Sequence, residues 1–358
     1  MPLFRSLALL AGFVLLAVGL ALKPLAWSDA TGTAMELALL ACLSLGAGAI
    51  TARILRLRLA SAVLLTTLAL LGLAYAGPAG LLATSCLLLG GLAVGTLFGR
   101  TQDSDPLLRW VAGLGVLAAC LGWLLPFPIH RAGLWLPVLL ALAWWRRGPV
   151  REDLAGLRAH WSNSIGAAPW TALACALVVI ISSTPAWLPV SNIDDLAYHV
   201  NLGWELMQFG HGRLDVGSQV WALAPWSTDL LHALVMLLAG KEVTGPLNIF
   251  WLLAAVGLVQ RLGRAMGLED RQAWLAAMLY ASLPMTSAMS GSLQVESATP
   301  AMIAALALAI LSTTTFDARA LRLVAALAGL LMGAKMSNGL MLLPFAIWLL
   351  WQWRGRLP

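Results

Sequence analysis

The sequence predicts an all-α polytopic membrane protein with about twelve transmembrane helices, and three observations lead there. Hydrophobic residues make up 60% of the chain against 11% charged, with a mean hydropathy of +0.85, a balance that no soluble globular domain carries. Apolar windows of roughly 20 residues, enough to cross about 30 Å of hydrocarbon, recur along nearly the whole chain. Runs such as Leu7 to Leu22 are continuously apolar and rich in Leu and Ala, which selects helices over the short alternating segments of a membrane barrel.

The first six spans fall at about 4–22, 34–52, 60–76, 79–99, 108–125 and 132–145. The stretch before Lys23 is long and lacks a small-residue cleavage site, so a retained span is expected there rather than a signal peptide. Leu89-Gly90-Gly91 and Gly113-Leu114-Gly115 put small residues where two helices can approach closely. A basic, amphipathic segment from Gly148 to Asn163, with Arg151, Glu152, Asp153, Arg158, His160 and Trp161, comes next as a linker helix on the inner membrane surface. Six further spans fall at about 169–188, 244–262, 272–288, 296–313, 320–334 and 338–353. The segment Asp229 to Gly240 has an apolar core of only about ten residues, which suits an interfacial or re-entrant helix and not a crossing. The expected organisation is therefore a six-span module over 1–147, a cytoplasmic linker over 148–168 and a second six-span module over 169–358.

Lys and Arg placement tests this assignment, because cytoplasmic loops carry the positive excess. With both termini cytoplasmic, only Lys23, Arg131, Arg213, Lys241 and Lys335 fall outside, and the other seventeen of the 22 basic residues fall inside. The net charge of +6 then reflects topology and contact with anionic membrane lipids, and no nucleic-acid partner is expected. Cys42, Cys86, Cys120 and Cys175 all sit within spans, which argues against a disulfide framework or a Cys zinc site. Trp27, Trp123, Trp135, Trp170, Trp187, Trp351 and Trp353 lie near span ends, as an interfacial aromatic belt does.

Chemistry is expected in the long outer loop, about 189–243, where polar residues are densest: Asp194, Asp195, Tyr198, His199, Glu205, His211, Arg213, Asp215, Asp229 and His232. Asp195 to Phe209 reads as a helix along the interface, with Leu196, Val200, Trp204 and Met207 near one face. Asn192 or Asp194 is placed to cap it, worth about 1 kcal/mol, but a cap needs only one acid, and the pair Asp194-Asp195 followed by Tyr198-His199 asks for more. Glu296, in the next outer connection, lies on the same side, and two acidic loops can converge over one cavity. Lys335 lies in a polar break between two spans, where it can equally snorkel to the interface. No His-Glu-x-x-His pattern occurs, which sets a metalloprotease aside.

Three motifs carry a resemblance: Ile193-Asp194-Asp195-Leu196-Ala197-Tyr198-His199, then Gln294-Val295-Glu296, then Gly329 to Lys335 continuing through Asn338-Gly339-Leu340. In order and sidedness, residues 170–353 resemble the GT-C superfamily of membrane glycosyltransferases, similar to protein O-mannosyltransferases and lipid A aminoarabinose transferases. The resemblance implies transfer of a sugar from a polyprenyl-phosphate donor to a lipid, glycan or protein acceptor at the outer face of the cytoplasmic membrane, with inversion. It implies Asp194 as general base, Asp195 and Glu296 as acids that orient the acceptor or bind a divalent cation such as Mg or Mn, and Lys335 or Arg213 on the phosphate. Tyr198, His199 and Asn338 are expected to touch substrate; His199 can hold a phosphate, ligate a metal with the carboxylates or hydrogen-bond Asp194, the last being the leading expectation. The family continues beyond the third motif, so a missing C-terminal part, or a partner membrane subunit supplying it, is expected. The other class that fits is a lipid-linked saccharide carrier, a flippase, or a noncatalytic subunit of envelope glycan assembly, in which the outer acids bind without transforming.

Overall fold

The computed structural model describes residues 27–99, 105–213, 217, 227–312 and 317–353. The predicted span 4–22, and Arg5, Lys23, Arg100, Asp215, Arg354 and Arg356, lie outside the described residues. All regular structure among the described residues is helical. In chain order the helices are α1 (Trp27–Leu55), α2 (Leu59–Leu71), α3 (Gly77–Gly95), α4 (Pro106–Leu124), α5 (Ala132–Trp145), α6 (Arg147–Ala167), α7 (Pro169–Ser182) and α8 (Val200–Phe209). They continue as α9 (Ser227–Ala239), α10 (Gly245–Ala265), α11 (Asp270–Ala281), α12 (Pro284–Ser290), α13 (Thr299–Ser312), α14 (Ala318–Ala334) and α15 (Gly339–Trp353).

Among the described residues four helical stretches are long and apolar enough to cross a membrane: Thr33–Leu55, Leu59–Phe98, Pro106–Leu124 and Gly245–Ala265. The pair α6 and α7, bent by 114° at Ala168, makes a fifth if taken as one span. Leu59–Phe98 is not one straight rod. Gly77 has φ 71° and ψ 172°, a backbone open to glycine, and Gly72 packs against Leu81, which in a straight helix would lie about 13 Å further along the axis. The chain therefore turns sharply there, α2 packing into one hydrophobic core and α3 into another. A shorter break separates α11 from α12, where a single long span was expected over 272–288: Pro284 cannot continue the preceding helix and begins a new one.

Polar contacts gather at two opposite ends of the bundle. At one, which we call the arginine end, Arg109 makes a bidentate pair with Asp153 at 2.6 and 3.2 Å, both side chains buried. Arg261 meets Asp105 at 2.9 Å, Arg146 donates to Thr96, Gln260 donates to Ser164 and Trp161 donates to Ser61. The linker helix α6 is thus tied to α2, α4 and α10 and is not merely solvated. The other, the acid end, holds Ser182, Asp195, Asn248, Ser290, Ser292, Glu296 and Lys335. Helix α9 has both of its termini at this acid end: Ser227 lies beside Gly333, while Lys241 and Val243 reach Gly77 and Gly80.

Two cores fill the bundle. One joins α3, α4, α9, α13 and α14, the other α2, α7 and α11, and α10 stands between them with Trp251 fully buried on one side and Val256 on the other. Helices before and after residue 147 therefore share both cores. The four cysteines are free. The glycine pairs perform the close approach expected of them: a Cβ at Gly113 would lie 2.0 Å from the Gly91 carbonyl oxygen, and one at Gly95 would lie 2.1 Å from that of Arg109. Gly113→Ala is expected to cost about 1–3 kcal/mol by overpacking. Gly329→Ala, with open space around it, is expected to be neutral or to stabilise slightly; thermal unfolding of the two variants in detergent checks the contrast.

Candidate functional site

The segment Asp195–His199 forms a π-helical turn, closed by the Val200 N–H donating to the Asp195 carbonyl, and it runs directly into α8. A π-turn inserts one residue into the helical ladder and shifts the register of the residues after it. The consequence departs from the expected amphipathic face. Asp195, His199, Val200, Leu202 and Leu206 point into the protein, whereas Leu196 and Trp204 are exposed, as are Leu188 and Ile193 just upstream. Asn192, not Asp194, provides the local cap, its side-chain oxygen accepting from the Asp194 N–H at 3.1 Å.

The two acids have different fates. Asp195 is wholly buried, and the Ser292 hydroxyl donates to its two oxygens at 2.8 and 3.1 Å, with the Leu293 N–H as a further donor. Burial still pushes the Asp195 carboxyl above its ordinary pKa, the hydrogen bonds opposing that only in part. Asp194 is exposed, touched on one oxygen by the Gln294 amide at 3.4 Å. Asp195 pins the acidic segment to the 290–298 loop, and Asp194 is the carboxylate left open.

His199 does not bond Asp194, as expected, but Asp229 at the start of α9, Nδ1 to Oδ1 at 2.7 Å, both side chains buried. Burial works against charge on the ring, and the Asp229 carboxylate, by hydrogen bond and by charge, more than offsets it, so the His199 pKa lies above its ordinary value. The Tyr198 ring lies 4.1 Å from the His199 ring. Its phenol is pushed up by burial and by the charges of Asp194, Asp229, Asp195 and Glu296, which places all four acids around it.

Glu296 sits in the single 3-10 turn Val295–Ser297 ahead of α13 and accepts from Lys335 Nζ at 2.5 Å, both half-exposed. Lys335 is held there by the extended break between α14 and α15 and is not free to snorkel. Buried Asn338 closes that break by donating to the Leu331 carbonyl at 3.0 Å and to Thr299 at 3.4 Å, a positioning role without exposure to substrate. Arg213 lies apart, its N–H on Glu205 at 3.0 Å and its guanidinium over the Phe209 ring.

Sequence reasoning missed Asn248 and Ser292. Asn248, buried in α10, donates to the carbonyls of Ser290 and Ser292 and so holds the turn that presents Ser292 to Asp195. Gly291 lets this turn lie on Pro185, where a Cβ would meet the Pro185 oxygen at 2.8 Å. The Ser-Gly-Ser pattern was visible; its partner, 97 residues away along the chain, was not.

Beside Glu296 opens an apolar cleft of about 280 Å³ between α10, α11, α12 and α13, with Asn248, Tyr280, Met285, Thr299 and Met341 in its walls. Among the described residues no three His, Cys, Asp or Glu side chains converge as a metal site. Asp195 is engaged by Ser292 and Glu296 by Lys335. Comparison with protein-family models, curated proteins and solved structures finds no match to this chain.

A histidine whose folded pKa is raised adds stability that is fully present below its unfolded value, about 6.5, and is lost as pH rises through the folded value. Asp229→Asn is therefore expected to lower Tm most below pH 6.5, by the equivalent of about 2 kcal/mol for a buried charge-assisted bond. Its deficit should shrink with rising pH, as a Tm series from pH 5.5 to 9 would show.

Proposed function

We propose that the protein is a membrane glycosyltransferase that moves a sugar from a polyprenyl-phosphate-linked donor to a lipid, glycan or protein acceptor at the outer face of the cytoplasmic membrane. The observation that carries this is the company Asp194 keeps: an open carboxylate on a pinned loop, a Lys335–Glu296 pair on the neighbouring loop, and an apolar cleft beginning at Glu296. A lipid-linked phosphosugar asks for these three things in one place.

In this reading Asp194 takes the proton of the acceptor hydroxyl as its oxygen bonds to the anomeric carbon. The bond from that carbon to the donor phosphate breaks, the configuration inverts, and the lipid phosphate leaves beside Lys335. Asp195 holds Asp194 in register, Glu296 holds Lys335, Tyr198 faces the sugar and Asn338 fixes the Lys335 backbone. No step is routed through a metal. In the same reading the chain crosses twelve times, with the arginine end and both termini in the cytoplasm, the acid end facing the periplasm or exterior, and a partner membrane subunit beside it. A carrier or flippase would need polar groups along a midplane pathway; here the acids cluster at helix ends.

Transfer of radiolabelled sugar from polyprenyl-phosphate donors to membrane acceptors tests the reaction. Asp194→Asn is expected to fall about 100-fold or more at equal folded abundance, and Asp195→Asn, whose amide oxygen can still accept from Ser292, to fall less. Wild-type membranes that turn over no such donor, or an Asp194→Asn variant as active as wild type, defeat the proposal. The orientation is tested in a background with the four native cysteines replaced by alanine. Lys241→Cys, at the acid end, should react with an impermeant maleimide in intact cells, and Arg264→Cys, at the other, only after permeabilisation.

A further inference from the structure

We propose that Asp229 is a positioning residue that holds His199 as an imidazolium, making His199 the second cation, beside Lys335, for the phosphate of a lipid-linked ligand. The inference rests on the proposed reading that such a phosphate enters at the acid end. Negative charge is in excess there. Among the described residues four carboxyls, Asp194, Asp195, Asp229 and Glu296, act by charge on Tyr198, against one ammonium, Lys335, which pairs with Glu296. With all four ionised the sum is −4 + 1 = −3, and with Asp195 protonated it is −3 + 1 = −2. A phosphate brings more negative charge into this field, and Lys335 is already partnered by Glu296. Arg213 is not placed to help, its guanidinium lying over Phe209.

His199 is the remaining group there that can change the sum. Its Nδ1 is engaged by the buried Asp229 carboxyl; burial pushes that carboxyl up, and the His199 hydrogen bond and charge work against the shift, so each partner favours the charged form of the other. A buried carboxylate at 2.7 Å from Nδ1 fixes both the ring's orientation and the site of one proton, leaving Nε2 as the donor for a ligand. The groups that face His199 are Asp194, Asp195 and Tyr198 from its own segment, Asp229 and His232 from α9, and Glu296, with Lys335 behind it. Of these Lys335 and His232 oppose a charge on His199, and burial pushes the His232 ring down to about 3, so that it stands neutral. The raised pKa of His199 agrees with this geometry.

The test uses the full chain in nanodiscs, ¹⁵N-labelled at histidine, with His199 assigned by His199→Gln. Wild-type His199 is expected to remain protonated above pH 7 and, in Asp229→Asn, to titrate at or below about 6.5. Binding of a polyprenyl monophosphate in the same discs is expected to weaken about tenfold in Asp229→Asn at pH 7.5, to recover towards wild type at pH 5.5 as His199 protonates, and to be restored by Asp229→Glu. A neutral His199 in wild type at pH 7 overturns the inference without recourse to any variant. So does an Asp229→Asn protein that is folded and binds the lipid phosphate as wild type does across the pH range. Binding with the expected pH rescue, but no sugar transfer from any donor, upholds the inference while removing the transferase reading.

Discussion

The hydroxyl of Ser292, donating to both oxygens of buried Asp195, is the contact on which the acid end depends. It joins two loops far apart in sequence, and each is held from behind by a separate device. Asn248 of the central helix gathers the carbonyls on either side of Gly291, while the π-turn rotates Asp195 and His199 inward together. A buried carboxylate without such donors would cost several kcal/mol. The loops therefore come together or the segment does not fold inward at all. Asp194 is exposed as a direct result of Asp195 being satisfied.

The scaffold under that contact is stiff for a different reason. Between α3 and α4 the backbones touch through Gly91, Gly95 and Gly113, and at the arginine end the ion pairs Arg109–Asp153 and Arg261–Asp105 tie helices together. Helix α10 passes from these ion pairs to Asn248 with most of its length buried. One rigid element thus connects the two polar ends, and the geometry of the 290–298 loop is referred, through Asn248, to the whole bundle.

Much of the bundle was legible in the sequence because the signals were strong and local. Continuous apolar runs marked the helices, glycine pairs marked the close seam, and the short apolar core of Asp229 to Gly240 marked a short helix. The site was legible only as a set of candidates. Which of Asp194 and Asp195 is buried depends on a π-turn, an insertion of one residue that periodicity does not reveal, and the amphipathic face read from Leu196 and Trp204 was displaced by it. The partner of His199 was beyond reach for the same kind of reason. Asp229 lies 30 residues on, and its approach is set by where α9 packs and not by any pattern around His199.

Leu188, Ile193, Leu196 and Trp204 surround the acidic segment and are all exposed. In a bilayer such side chains seek the boundary between headgroups and acyl chains, where partly apolar residues are most at ease. The acids are thereby moored to the lipid surface as well as to the protein. Their height above the hydrocarbon then tracks the thickness and headgroup chemistry of the surrounding leaflet, and in the proposed transfer an acceptor hydroxyl would have to arrive at that depth. The membrane becomes part of how the site selects what it touches.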